Sequence, residues 1–329
     1  MNAERILVTG ASGFTGGHLC RRLAEAGYRV RGLVRDPARC ATLVDRGVEI
    51  VSGDLRDADS LHRAVKGIDV VYHVAAVYRQ ANISRREMWE VNVHGTKYLL
   101  DASVQGDVKR FVHCSSMGVH GTIKNPPGNE ETPYGPGDEY QESKVAAERL
   151  VRQYMDKNRI QAVVFRPAGI YGPGDLRFLK LFRAIKKGRF VMLGSGRVNY
   201  HMIYIDDLIE GILLCGTDER SVGGIYILGN ELPVTLNQLI KVIAATLGVR
   251  RSRLRFPVAP VYIAGILCEL VCKPLGINPP LYRRRVDFFR KNRAFDVSKA
   301  KKELGFRAKT NLETGIALTA GWYQAEGLL

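Results

Sequence analysis

Apolar and polar positions in this chain follow two alternating rhythms. Short apolar runs, such as Ile6-Leu7-Val8 and the YRVRGLV that follows Gly27, read as buried strands. Helical patterns separate the runs through residue 170, and strands alternating with helices point to a parallel sheet. Toward the other end, FPVAPVYIAGILCELVC predicts a mostly apolar helix over 257–272 that carries one Glu, and FDVSKAKKELGF predicts a short strand followed by an amphipathic helix. No internal repeat or low-complexity segment interrupts the pattern, and 329 residues exceed one minimal core.

The first strand leads into TGASGFTGGHLCRRLAEAG, with Gly10, Gly13 and Gly16 at the turn. Gly10 allows a tight turn, Gly13 lets the backbone approach a pyrophosphate, and Gly16 lets helix pack closely on strand. A diphosphate would rest on the unpaired N–H groups at the positive end of the helix. The spacing is three and three, where the usual dinucleotide fingerprint has two and three, so a purely structural glycine turn is the alternative.

Tyr140 and Lys144 stand four apart in EYQESKVAAERL and share a helix face. A unit charge about 4 Å from a phenol contributes roughly 4 kcal/mol at an effective dielectric of about 20, enough to bring it near neutrality. A phenol so tuned exchanges a proton with an alcohol or ketone while a hydride moves. Alone, this spacing also occurs on many exposed helices.

Together these motifs resemble the extended short-chain dehydrogenases/reductases, over nearly the whole chain from Arg5. The resemblance implies an α/β fold, a Rossmann-type doubly wound parallel sheet with a smaller C-terminal substrate-binding region. Residues 1–166 would form the dinucleotide-binding domain, with a return segment near 199–228, and 167–329 mainly the substrate region. It implies Tyr140 as acid/base, Lys144 as its tuner and ribose ligand, Ser116 as donor to the reacting oxygen, and Asn92 as support for the backbone or a relay water. Ser115 competes with Ser116. His120 replaces a Tyr usual in the family, which should alter the wall of the site. Implied cofactor contacts are Gly10, Ser12, Gly13, Phe14, Thr15, Gly16, Arg35, Asp54, Leu55, Ala75, Ala76, Tyr140, Lys144, Pro167 and Ile170.

Cofactor choice rests on the end of the second strand. Val34 takes the place where an acidic residue would bind the ribose of NAD, and Arg35 follows, able to pair with a 2′-phosphate. NADP(H) is therefore expected ahead of NAD(H). The alternative has Arg35 stacked on adenine or facing solvent, with Asp36 reaching the ribose of NAD.

Two positions depart from the nucleotide-sugar enzymes that share this resemblance. Where those carry an Asn and a diphosphate-binding Arg, this chain has Gly169 and Tyr200, with Arg197 nearby but out of register. RPAGIYGPGD and the apolar tract after Phe256 resemble instead the 3β-hydroxysteroid dehydrogenase and sterol-4-carboxylate dehydrogenase branch. Pocket residues are expected from Val77 to Met88, Gly121 to Tyr134 and Leu176 to Tyr200.

A net charge of +16 raises nucleic acid as a partner, but no aromatic-interleaved platform or recognition-helix motif accompanies it, and none is expected. The charge suits a small hydrophobic, acidic substrate. Arg250, Arg251, Arg253, Arg255, Lys273 and Arg283-Arg284-Arg285 flank the apolar helix, which is too short to span a bilayer. The region near 257–285 either touches a membrane surface, through Val258, Val261, Ile266, Leu267 and Leu270, or packs as core or dimer contact. A homodimer through the helix from Tyr140 to Tyr154 is a further expectation. Six scattered cysteines, no metal-ligand cluster and a first strand starting near Arg5 predict a cytoplasmic protein with no metal.

The reading is an NAD(P)-dependent oxidoreductase interconverting a secondary alcohol and ketone on a sterol-like, lipid or polyketide substrate. The alternatives are a nucleotide-sugar 4-epimerase or dehydratase with tightly bound NAD, and a non-catalytic NADP-binding scaffold or redox sensor.

Overall fold

The computed structural model describes residues 4–78, 83–252, 254–272, 274, 275, 277 and 279–329. Arg253, Lys273 and residues 79–82 of the expected Val77 to Met88 segment lie outside the described residues, as does the side chain of Arg284. Six strands appear in the first half: β1 (Arg5–Thr9), β2 (Arg29–Val34), β3 (Glu49–Ser52), β4 (Val70–His73), β5 (Arg110–Cys114) and β6 (Ala162–Pro167). The short strands β7 (Gly169–Tyr171), β8 (Met192–Leu193), β9 (Asn199–Tyr200) and β10 (Met202–Tyr204) precede β11 (Ile225–Leu228), and β12 (Val234–Thr235) and β13 (Arg255–Phe256) follow it. Seven of these make one parallel sheet in the order β11-β6-β5-β4-β1-β2-β3. It is a Rossmann-type α/β sheet.

Every central strand is apolar on both faces, as a sheet covered on both sides requires. Ile6, Val8, Tyr72, Val112 and Phe165 point into one core, and Leu7, Val71, Phe111 and Val164 into the other. The second core is closed by α3 (Ala58–Val65), α5 (Gly95–Gln105) and α6 (Glu139–Asp156), whose buried residues Leu61, Leu99 and Val151 belong to it. Helix α1 (Phe14–Glu25) covers the first through Leu19 and Leu23, and α2 (Ala41–Val44), α4 (Arg85–Trp89) and α7 (Leu179–Lys186) are short helices of the intervening connections. β1 pairs with both β2 and β4, so the chain reverses its winding there. In open sheets of this kind ligands bind at that switch point, beyond the carboxyl ends of the strands.

The second half adds α8 (Ile205–Thr217) and α9 (Leu236–Thr246) through the same core, while β12 pairs with β9 and β13 with β8. The apolar tract forms a helix over Val258–Cys272 and packs on a short helix, Arg283–Asp287. It is not core: only Gly265 and Glu269 are buried in it. Of its expected apolar contact face, Leu267 and Leu270 are exposed, whereas Val258, Val261 and Ile266 are half-buried.

Candidate active site

A cavity of about 920 Å³ opens beyond the carboxyl ends of β1 to β6. At the β1 turn, Gly10 has φ +72°, and a Cβ on it would lie 2.9 Å from the Cα of Ala75. A Cβ on Gly16 would stand 2.2 Å from the carbonyl oxygen of Gly10. Side chains are excluded at both positions, so the turn stays tight against β4 and the helix start stays against the turn. Gly13 is the N-cap of α1 with no side-chain cap, which leaves the first N–H groups of the helix for an anion. This cradle fits the diphosphate of a dinucleotide. Ser12, Phe14 and Thr15 line the same stretch, and Leu55, Ala75, Ala76, Pro167 and Ile170 line the rest of the expected cofactor wall.

Arg35, Arg39 and Asp54 line the cavity beyond β2 and β3. Asp36 turns away to cap the following 3₁₀ turn, accepting from the N–H of Ala38 at 3.1 Å. Hydrogen bonds from Arg56 hold the Asp54 carboxyl below the usual range, burial opposes them, and the charge of Arg35 adds to the lowering.

Asp138 caps α6 by accepting from the N–H of Gln141 at 3.0 Å, and Glu139 and Glu142 in the first turn complement the positive end of the helix dipole. The helix thereby presents Tyr140, Lys144 and Glu148 at successive i, i+4 positions. Tyr140 lines the cavity with its ring edge-to-face against Tyr78, centroids 5.0 Å apart. Lys144 is buried, donates to the carbonyl oxygen of Cys114 at 2.5 Å, and has its pKa lowered by burial.

The two serines differ in surroundings. Ser115 is fully enclosed and donates to Glu148, whereas Ser116 is half-buried and accepts from the N–H of Gly118 at 3.0 Å. Both lie on the cavity wall, but Ser115 is committed to the interior. Asn92 does not reach the cavity. It is buried in a one-turn π-helix, Glu90–His94, and clamps the backbone of Val77, accepting from its N–H at 2.8 Å and donating to its carbonyl at 3.1 Å. Its amide also donates to Ser143 Oγ at 3.0 Å.

His120 corrects an expectation. It is not among the residues that line the cavity but is buried, where its Nε2 accepts from Arg166 at 3.0 Å and its Nδ1 faces the Pro133 carbonyl. Burial and the Arg166 charge lower its pKa, in keeping with a ring nitrogen that accepts from a guanidinium. Arg166 also grips Glu148, which takes a further hydrogen bond from Tyr134 at 2.7 Å. Burial alone would raise the Glu148 carboxyl, but Arg166, with Ser115 and Tyr134, outweighs it and holds the group below the usual range.

The far wall is aromatic and basic. Tyr200 stands edge-to-face between Phe178 and Phe288, at 6.2 and 5.3 Å, and the Arg293 guanidinium lies 5.6 Å from its ring centre. Arg177 and Arg285 complete the wall. Arg197 is exposed and outside it, so it does not stand in for the missing arginine. Of the Gly121 to Tyr134 segment only Gly121 lines the cavity, whereas Phe288, Phe289, Arg293 and Phe295 do so unforeseen. Their signal was the alternation of aromatic and basic residues in DFFRKNRAF. Among the described residues no group of three or more His, Cys, Asp or Glu is placed to hold a metal ion.

Residues 6–229 match the model of the NAD dependent epimerase/dehydratase family. The chain belongs to that family. It is an enzyme of the extended short-chain dehydrogenase/reductase type. Among its family relatives, the 3 beta-hydroxysteroid dehydrogenase/Delta 5→4-isomerase of Mycobacterium tuberculosis is 31% identical over 318 residues, covering 92% of this chain and 85% of the relative. The sterol demethylase protein B of Methylococcus capsulatus is 29% identical over 335 residues, covering 98% and 99%. A solved structure of DesIV, the dTDP-glucose 4,6-dehydratase of Streptomyces venezuelae with NAD and TYD bound, matches with a TM-score of 0.80 at 26% identity, covering 99% of this chain and all of that one.

Proposed function

We propose that this enzyme interconverts a secondary alcohol and a ketone on an apolar molecule bearing an acidic group, with NADP(H) as its cofactor. A nicotinamide cofactor supplies or accepts the hydride when bound. Tyr140, at the cavity wall, gives a proton to the ketone oxygen, or takes one from the alcohol. Lys144, buried four residues on, favours the phenolate by its charge and holds the ribose. Ser116 donates a hydrogen bond to the reacting oxygen, and Asn92 keeps the Val77 backbone in place beside it. The same groups serve both directions, so the cofactor pool sets the direction.

The observation that carries the substrate class is the packing of Tyr200 against Gly169. A Cβ on Gly169 would lie 2.9 Å from the Tyr200 ring, so the aromatic side chain fills the space of the polar pair expected in a sugar enzyme. Phe178, Phe288 and Phe289 extend this surface, while Arg293 and Arg285 suit a carboxylate. The two sterol-named relatives agree with this reading. For the cofactor, the support is Arg35 on the cavity wall and Asp36 already occupied as a cap.

A second reading is a nucleotide-sugar epimerase or dehydratase, favoured by the three guanidinium groups of Arg177, Arg285 and Arg293 facing one cavity. Calorimetric titration with NADPH and NADH, followed by addition of a hydrophobic keto acid or UDP-glucose while the reduced-nicotinamide absorbance is followed, separates the two. Tighter NADPH binding and absorbance loss with the keto acid support the proposal. Tight NAD(H), sugar-nucleotide binding and unchanged absorbance overturn it.

A further inference from the structure

We propose that the helix Val258–Cys272, here α10, is a docking surface for an anionic lipid bilayer. Its polarity is inverted. The buried positions are Gly265 and Glu269, and Glu269 accepts from the backbone N–H of Arg283 at 2.8 Å and from its guanidinium at 3.1 and 3.2 Å. Ile263, Leu267, Leu270 and Val271, on the opposite side, are 55%, 58%, 66% and 62% exposed. The spacing of i, i+4, i+7 and i+8 makes them one stripe. Leu254 and Phe256 before the helix, and Leu275 and Ile277 after it, are also exposed. An apolar stripe turned outward while the carboxylate is turned inward calls for an apolar occupant.

Charge identifies that occupant. Between Arg250 and Arg293 the chain carries eleven Lys and Arg residues and two acidic ones, Glu269 and Asp287, both of which are in ion pairs. Arg250, Arg251, Arg255 and Arg285 are exposed around the stripe. A second copy of the chain would bring the same cations face to face, whereas anionic lipid satisfies stripe and cations together. The helix is about 22 Å long, short of the ~30 Å of a bilayer core, so it lies in the interface. No helix among the described residues is long and apolar enough to cross a membrane.

The surface adjoins the rim of the cavity. The short helix Arg283–Asp287 on which α10 packs runs straight into Phe288 and Phe289, and these line the cavity with Arg285. Docking stands on the patch alone. Only the delivery of an apolar substrate from the bilayer rests on the reaction proposed above.

The test is co-sedimentation of the full chain with vesicles of phosphatidylcholine alone and of phosphatidylcholine with phosphatidylglycerol, beside Leu267→Glu/Leu270→Glu and Arg250→Ser/Arg251→Ser. Both pairs are exposed, and circular dichroism checks their folding. The wild type is expected to pellet with the anionic vesicles, and less as salt is raised. The glutamate pair should lower the partition coefficient by roughly a hundredfold, since two leucines lose burial and two carboxylates meet an anionic surface. The serine pair should weaken anionic binding by about thirtyfold, two cations at about 1 kcal/mol each. Three results overturn the proposal: wild-type protein left in solution with both vesicles, binding unaffected by the glutamate pair, or light scattering that shows a dimer split by that pair. None of these depends on turnover.

Discussion

Gly169 and Tyr200 fit against each other: a Cβ on Gly169 would meet the Tyr200 ring at 2.9 Å and the backbone oxygen of His201 at 3.0 Å. The Gly169 N–H also donates to that oxygen at 2.9 Å, which locks β7 beside β10. The two positions expected to distinguish this chain from sugar-nucleotide enzymes are therefore one steric unit. Gly169→Asn is expected to destabilise the protein by about 1–3 kcal/mol through overpacking. Adding Tyr200→Arg should recover part of that loss, because the ring is removed but the His201 oxygen is not. Urea unfolding of the single and double variants checks the coupling, and an additive result would contradict it.

Lys144 makes a pH prediction. Its pKa is lowered by burial, so the unfolded chain binds more protons than the folded one between the folded value and the ordinary ~10.4. Stability must rise with pH across that window, and the full penalty is present below it. Lys144→Met removes the effect along with activity. Unfolding free energies of wild type and variant, measured from neutrality to about pH 10, should move in favour of the wild type as pH rises. A constant difference would show that the ammonium is not desolvated.

Glu148 also stabilises the fold as pH rises, but in the acid range, because its charged form is favoured where that of Lys144 is penalised. Its carboxyl is enclosed with Arg166, so Glu148→Gln leaves a buried guanidinium short of its partner and should cost about 3–5 kcal/mol. The folded pKa is depressed, so the wild-type advantage is present above the ordinary ~4.3 and lost as pH falls through the folded value. Acid unfolding of the two proteins should therefore converge.

Arg35 carries the cofactor preference. Arg35→Ser is expected to weaken NADPH binding by roughly 10- to 100-fold, the loss of a charged hydrogen bond, while NADH binding changes little. Equal losses for both would mean that Arg35 stacks on the adenine instead.

How much of this was legible in the sequence follows from range. The glycine turn and the Tyr140–Lys144 pair are local patterns, so spacing alone placed them on α1 and α6. Glu148, one turn beyond Lys144, was overlooked because a Glu on an amphipathic helix reads as exposed until Arg166, Ser115 and Tyr134 are seen around it. His120 was misplaced for the same reason, since Arg166 holds its ring in a buried cluster with Glu148. Phe288 and Arg293 reach the cavity through tertiary packing against Tyr200, which no short spacing encodes. The apolar helix was visible, but which of its faces met the protein was decided by Glu269 and Arg283, fourteen residues apart.

The most direct test of the account is Tyr140→Phe, assayed for consumption of NADPH with a hydrophobic keto acid and for cofactor affinity in parallel. The proposed acid/base role predicts a fall of about 10²- to 10⁴-fold in kcat with NADPH binding intact. Undiminished turnover by the variant would contradict it, and with it the hydride-transfer site described above.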